Sequence, residues 1–353
     1  MESLAPQTLA EEWDNVGLQV GNPAHGVKNI WIALDPTYAV VKAACRKKID
    51  LLITHHPLLF KPLRSLNFNT PEGSIIDLAV QHQLAIFAAH TNLDSALGGI
   101  NDVLADRIGV YGLKPLVTAR ETPRFILVIH GPRNIEKQIS AVLNQLPSET
   151  GCRIKREVSV MSVDGIVSNE GKGKFSKEDR MRVEIQLGPH ELPVLTEALS
   201  AFQSDDPIWY DVYPLLNPNE TSGIGRIGSL ETALDLKTLA RMIKKKLNLQ
   251  HLRFAGDPAL SVKKVAICSG SGASLLANFF DSDAQAFISG DLRYHDARDV
   301  ESSNLGLVDI GHFSSEHLIV QVLADRLRSL LAESQMNVDV DACDLEQDPF
   351  TVL

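Results

Sequence analysis

The sequence predicts an α/β fold: one discontinuous domain over residues 1–120 and 221–353, with a ferredoxin-like βαββαβ domain inserted at 121–220. Three observations carry this expectation. Short apolar runs alternate with stretches of helical period through roughly the first 115 residues, as in β-α-β units with a mostly parallel sheet. The pattern breaks near Glu121 and becomes β-α-β-β-α-β over about 90 residues. The α/β alternation then returns beyond LLNPNETSG (215–223), a Pro-, Asn- and Gly-rich stretch that reads as a linker.

The elements follow in order. WIALD (31–35) reads as a strand, Pro36 to Lys48 as a helix, and Leu51-Leu52-Ile53 as a strand. Ser74 to Gln83 is a helix, Leu84 to Ala88 a strand and Ile100 to Ile108 a helix. In the insert, RFILVIHGP (124–132) is a strand ending in Gly-Pro, and IEKQISAVLNQL (135–146) has helical period. VSVMSVDGIVS (158–168) and MRVEIQLGP (181–189) are strands separated by a polar loop. ELPVLTEALSAF (191–202) is a helix and PIWYDVYPL (207–215) a strand. After the linker, LKTLARMIKKKLN (236–248) is a helix, VKKVAICSG (262–270) a strand and SLLANFF (274–280) helical. AFISG (286–290) and LGLVDIG (305–311) are strands, and HLIVQVLADRLRSLLAE (317–333) is a long amphipathic helix.

The chemistry sits just past these strands. Three short polar stretches follow apolar runs: ITHHPLLF with His55 and His56, AAHTNLD with His90 and Asp94, and DIGHFSSEH with His312 and Glu316. Side chains at the carboxyl ends of neighbouring strands in an open α/β sheet converge on one crevice. Four imidazoles and two carboxylates converging there form the ligand set of a divalent-metal site, and the number suits two ions better than one. The competing account is a set of core histidines satisfied by hydrogen bonds. Of the 11 histidines, His55, His56, His90, His295 and His312 follow apolar runs, which favours the metal.

Imidazole and carboxylate without thiolate leave zinc, iron, manganese and nickel open. His312 and Glu316 are four apart at a helix start and so share a side; His90 and Asp94 have the same spacing. His55 and His56 would face opposite ways in a regular strand, one serving each ion or one lying behind the other. A carboxylate, Asp94 or Glu316, bridging ions ~3.5–4 Å apart would turn a shared water into a nucleophile. SGDLRYHDARD (289–299) adds Asp291 and His295, also four apart, as orienting groups or as a catalytic acid and base. Its plainer reading is a helix cap beside a surface histidine.

Two glycine-containing motifs carry less. CSGSGAS (268–274) fits an anion nest or a tight turn equally. GIGRIG (223–228) matches G-x-G-x-x-G as a string but opens into a strand, so it is no dinucleotide fingerprint.

Bulk properties narrow the function classes. The chain has 353 residues, 44% hydrophobic and 22% charged, enough for a sizeable core, and a net charge of −10. That charge opposes a phosphate backbone or anionic membrane as the main partner. No stretch approaches a membrane span, and MESLAPQTLAEEWD lacks the basic start and apolar core of a secretory signal. Four scattered cysteines form no C-x-x-C and read as reduced thiols of a cytoplasmic protein.

EEWDNVGLQVG (11–21), ITHHPLLF (53–60), HTNLDSALGGIND (90–102), CSGSGAS, SGDLRYHDARD and DIGHFSSEH together resemble the Nif-three-like family. Many of its bacterial members carry the name of a type 2 GTP cyclohydrolase homologue. The resemblance covers both outer segments. It implies two similar α/β lobes with a dinuclear metal site between them, assembled as a hexameric toroid, and an inserted domain related to the PII and CutA proteins. It places the ligands on His55, His56, His90 or Asp94, and His312 with Glu316. The chain departs at its start, which opens only a few residues before Trp13-Asp14-Asn15, where relatives have another helix. The expected function is hydrolysis of a nucleotide-like or phosphorylated small molecule with two divalent ions per subunit. A metal-handling or regulatory role without catalysis is the alternative.

Overall fold

A computed structural model describes residues 1–118, 124–131, 159–163, 178–188, 191–200, 208–215 and 222–352. The chain divides into two units, one of Met1–Arg120 with Thr221–Leu353 and one of Glu121–Glu220.

The first lobe of the larger unit contains β1 (Gly17–Val20), β2 (Asn29–Ala33), α1 (Tyr38–Arg46), β3 (Leu51–Thr54), α2 (Pro71–Gln81) and β4 (Ala85–Ala88). A one-turn helix, α3 (Thr91–Ser95), and then α4 (Ile100–Ile108) follow, leading into the long β5 (Val110–Thr118). Strands β2, β3 and β4 pair in parallel, with β1 added antiparallel on the β4 edge. β2 is buried on both faces, which explains its unbroken apolar sequence. Alternate residues point opposite ways along it. Ile30 and Ile32 pack with Ile319, Val320 and Leu323 of the C-terminal long helix. Trp31 and Ala33 pack on the other side with Val40, Val41 and Ala44 of α1 and Ile75, Ile76 and Ala79 of α2. Each fully buried aliphatic side chain of this kind stabilises the fold by about 1.5–3 kcal/mol. The helices are punctuated by caps. Thr37 accepts from Val40 N, Thr70 accepts from Gly73 N with Pro71 behind it, and Gly109 ends α4 in the left-handed region.

Within the smaller unit the described strands are β6 (Arg124–Gly131), β7 (Ser159–Val163), β8 (Glu178–Leu187) and β9 (Trp209–Leu215), with α5 (Glu191–Ser200). They form one antiparallel sheet in the order β7-β8-β6-β9. Leu127, Ile129, Ile185 and Leu187 pack there with Leu195 and Leu199 of α5. The helix expected over 135–146, the end of the 158–168 strand, most of the linker and Cys152 lie outside the described residues.

The second lobe begins with β10 (Gly223–Asp235) and continues through α6 (Leu236–Lys246), β11 (Arg253–Ala255) and β12 (Ser261–Ser271). It ends with α7 (Leu276–Phe280), β13 (Ala286–Gly290), α8 (Tyr294–Ser302), β14 (Gly306–Asp309), α9 (His312–Glu316) and α10 (Leu318–Glu333). Its sheet runs β11-β14-β13-β12-β10-β5. The three middle strands β12, β13 and β14 are parallel; β10 and β11 join antiparallel. The last strand, β15 (Asp339–Ala342), returns to the first lobe and pairs in parallel with β2. The strand that precedes the smaller unit pairs with the strand that follows it, Thr118 opposite Gly223.

Both lobes therefore present three parallel strands followed by a one-turn helix and a longer helix. GIGRIG lies within β10, as a strand. Its Arg226 is buried and donates to the carbonyls of Gly223, Gly225 and Ala96 and to the carboxylate of Asp102, which joins β10 to α4.

Candidate metal centre

Each functional side chain sits where a parallel strand stops. β3 ends at Thr54, so His55 and His56 lie beyond the regular pleat. Their backbone N–H groups still donate to the carbonyls of Ala33 and Leu34 in the neighbouring β2 segment, while the Thr54 hydroxyl donates to His56 O. Freed from strand alternation, the two rings stand 5.0 Å apart, centroid to centroid, and both face one cluster. The opposite-face expectation of a regular strand does not apply there. His90 follows β4 as the cap of α3, with its ring 5.2 Å from His55 and 5.6 Å from His56. His312 opens α9, its ring 5.3 Å from that of His56.

These residues fall into two overlapping groups whose ligand atoms lie within 4.8 Å of one another: His55, His56 and His90, and His56, His312 and Glu316. His56 belongs to both. Asp94 lies alongside, its Oδ1 3.8 Å from His55 Nε2 and hydrogen-bonded to the Ser269 hydroxyl at 3.2 Å. Glu316 approaches His55 Nε2 at 3.6 Å, His56 Nε2 at 3.1 Å and His312 Nε2 at 3.0 Å.

The proton positions follow from the outer contacts. Every one of the four histidines turns Nδ1 to an oxygen that accepts. His55 Nδ1 meets the Ala89 carbonyl at 2.9 Å, His56 meets Asp35 at 2.8 Å, His90 meets Asp14 at 2.9 Å and His312 meets Asp291 at 2.7 Å. A neutral imidazole has one N–H; with that proton on Nδ1, all four rings in their neutral form would present a bare Nε2 inward. His55 Nε2 and Glu316 Oε2 are buried without a hydrogen-bond partner. Leaving such atoms unpaired is costly. The set fits a cation.

Without a cation, the electrostatics draw protons to the same pocket. Burial alone would lower His56, but the carboxylates of Asp35 and Glu316 outweigh it and take the ring up to about 10. Glu316 raises His312 to about 9, against a smaller opposing effect of burial. Burial also opposes charge on His55, and Asp94 and Glu316 overcome it upward. Glu316 itself would be raised by burial, yet the surrounding imidazoles hold it well below the usual carboxylate range. For Asp94, burial dominates and pushes the carboxyl up. Protons and divalent ions compete for such a pocket.

The other predicted residues are placed as follows. Asp291, with φ of 53°, sits between β13 and α8 and orients His312. His295 is exposed on α8, edge-on to Tyr294 at 5.4 Å, and belongs to neither metal group. The cap of α8 is Arg293, closed by a reciprocal contact with Asp296. CSGSGAS is the end of β12 running into a short 3-10 turn. Its Gly270 has φ of +61°, and a Cβ there would stand 2.1 Å from Glu316 Oε1. Only glycine lets the chain pass the buried carboxylate so closely. Cys268 is buried beside the carboxylates; burial, Asp94 and Glu316 all push its thiol up, so it stays protonated.

Sequence reasoning missed the acceptors behind the ligands. Asp35 ends the β2 segment just as the histidines end theirs, and that rule would have found it. Asp14 lay inside a quoted motif with no role assigned; it also accepts from the Thr91 amide and hydroxyl. Glu346 had no signal at all. It accepts from the Leu34 and Asp35 amides, both at 2.8 Å, and so fixes the strand end that carries Asp35.

Comparison with known proteins places this arrangement among relatives. The profile of the family described as Duf34/NIF3 (NGG1p interacting factor 3) matches residues 1–349. The chain is 29% identical over 360 residues to the "GTP cyclohydrolase 1 type 2 homolog" of Bacillus subtilis, covering 100% of this chain and 96% of the relative. It is 31% identical over 366 residues to the protein of the same name from Mycobacterium tuberculosis, covering 100% and 95%. A solved Bacillus cereus protein related to NIF3 superposes with a TM-score of 0.84 at 31% identity, covering 100% and 96%. Staphylococcus aureus SA1388 superposes with a TM-score of 0.72 at 26% identity, covering 100% and 96%.

Proposed function

The chain belongs to the Duf34/NIF3 family, and on that premise we propose that it is a dinuclear metal-dependent hydrolase acting on a nucleotide-like or phosphorylated small molecule. The observation that carries the proposal is the uniform turn of the four imidazoles, Nδ1 to an acceptor and Nε2 inward. With the ring protons on Nδ1, four lone pairs and a buried carboxylate face one another, an arrangement that a cation satisfies. Carboxylates or carbonyls behind the imidazoles are the usual support of metal-ligating histidines.

His55, His56 and His90 would hold one ion; His312 and Glu316, with His56 close by, would hold the other. Asp94 completes the set beside His55. Divalent ions bound there supply Lewis acidity and a nucleophilic water at neutral pH. Zinc, iron, manganese and nickel all suit the donors. Asp291 keeps His312 in its ligating tautomer, and His295, free on α8, is assigned proton transfer to the substrate. The relatives' name points to GTP as the first substrate to try.

The same reading includes the remaining expectations. Residues 121–220 form a ferredoxin-like domain akin to PII and CutA proteins, supported by the order β7-β8-β6-β9. The subunits assemble as a hexameric ring in the cytoplasm. Among the described residues no helix is long and apolar enough to cross a membrane.

The test is elemental analysis of the purified protein and of the double variant His312→Ala with Glu316→Ala. Two ions per chain in the wild type, falling to one or none in the variant with the fold retained, is the expected result. Unchanged metal content in the variant would overturn the assignment. A full complement of ions with no turnover of GTP or other phosphorylated compounds would move the protein to metal handling.

A further inference from the structure

Two large aromatic side chains stand at the edge of the centre with no structural duty of their own. Trp13 is 58% exposed and Phe60 is 50% exposed. Their rings are 5.6 Å apart, and both turn toward the edge of His90, at 6.1 Å and 6.5 Å. His90 is the member of the first metal group that they adjoin.

The pair is held in place. Asn15 Nδ2 donates to Leu59 O at 2.6 Å, and Leu59 N donates to Gln19 Oε1 at 3.0 Å. Gln19 Nε2 in turn donates to Asn15 O at 2.9 Å. These bonds fasten the loop carrying Phe60 to the segment carrying Trp13. Asp14, the next residue, fastens that segment to His90 and Thr91. Fixed aromatic surface beside reactive groups is how proteins receive flat ligands, because rings stack well and lose little side-chain freedom.

We propose that Trp13, with Phe60 inclined beside it at 53°, forms the stacking wall for a flat heteroaromatic ring, so that the substrate belongs to the nucleobase-bearing class. This deepens the proposed hydrolase reading and rests on it for the word substrate. The ring lies on the wall beside His90, and the remainder of the molecule extends to the metal groups. Alanine substitution at base-stacking aromatics weakens binding by about 5- to 150-fold per base, so the effect is readable.

The experiment compares two probes on the metal-loaded full-length protein by calorimetry: guanosine monophosphate and ribose phosphate, which differ by the base alone. The wild type should prefer guanosine monophosphate by about tenfold or more. Trp13→Ala and Phe60→Ala should each cut that preference several-fold, and Trp13→Phe should keep part of it. Equal affinity for the two probes, binding of neither, or a preference untouched in both alanine variants would overturn the proposal. Should Trp13→Ala fail to fold, Phe60→Ala decides alone. A smaller oligomer in the double alanine variant would assign the pair to contact with a second copy and also overturn it. A base preference in a protein that carries no metal would sink the hydrolase reading and leave the wall standing.

Discussion

At the scale of single residues, the centre is defined as much by what stands behind the ligands as by the ligands. Asp14 shows how. Burial works to raise its carboxyl, but hydrogen bonds from His90 and Thr91 outweigh burial and hold it at about 2. It is therefore ionised at any pH where the imidazoles are free to bind metal. Its stabilising contribution is present above its ordinary 3.8 and is lost only as pH falls through about 2. Asp14→Asn should weaken metal affinity about 10- to 100-fold, read by competition with a chromophoric chelator. An unchanged affinity would mean that His90 does not ligate. Metal release on mild acidification should persist in the variant, because it comes from imidazole protonation. The residues of the two clustered groups were legible from sequence as candidates, since each follows an apolar run. Asp14, Asp35 and Glu346 were not, because an acceptor for an Nδ1 proton can come from any part of the chain that folds nearby.

At the scale of elements, the strands most plainly marked in the sequence are the covered parallel ones, although the exposed β9 was read as well. β2, β3, β4, β13 and β14 are short apolar runs, and covered parallel strands must be. The missed ones are edge or half-exposed strands: β1 (GLQV), β5 (VYGLKPLVT), β11 (RFA) and β15 (DVDA). Their exposed positions take polar residues, so no apolar run marks them. α8 was missed because its sequence, YHDARDVES, buries only Asp296 and Val300. The GIGRIG segment gave a strand and concealed its main feature, the buried Arg226. Its guanidinium is paired with Asp102 on α4, only 1% exposed on the arginine side. Removing one partner of such a pair leaves a buried charge uncompensated. Asp102→Ala should cost about 3 kcal/mol, measured by urea unfolding, with metal stoichiometry retained in the folded fraction. A loss below about 0.5 kcal/mol, the range of ordinary surface changes, would show that the three carbonyls hold Arg226 unaided.

At the scale of the whole molecule, the proposed metal centre would couple metal binding to stability. In the metal-free protein His56 and His312 are raised to about 10 and about 9. Protons on them contribute stability that is full below the ordinary 6.5 and fades as pH climbs through those raised values. Bound ions replace those protons and do not fade in the same way. Chelation should therefore lower the unfolding temperature little at mildly acidic pH and progressively more toward pH 10. Calorimetry with and without chelator checks this, and a gap that narrows with rising pH would contradict it.

The facing of Thr118 and Gly223 across β5 and β10 has a consequence for descent. The hundred residues of the smaller unit leave the chain and rejoin it at adjacent points on one hairpin. Ends already held together make a long excursion cheap to close, since loop-closure entropy grows only slowly with length. An insertion or loss between those points can thus leave the pairing of β5 with β10 in place.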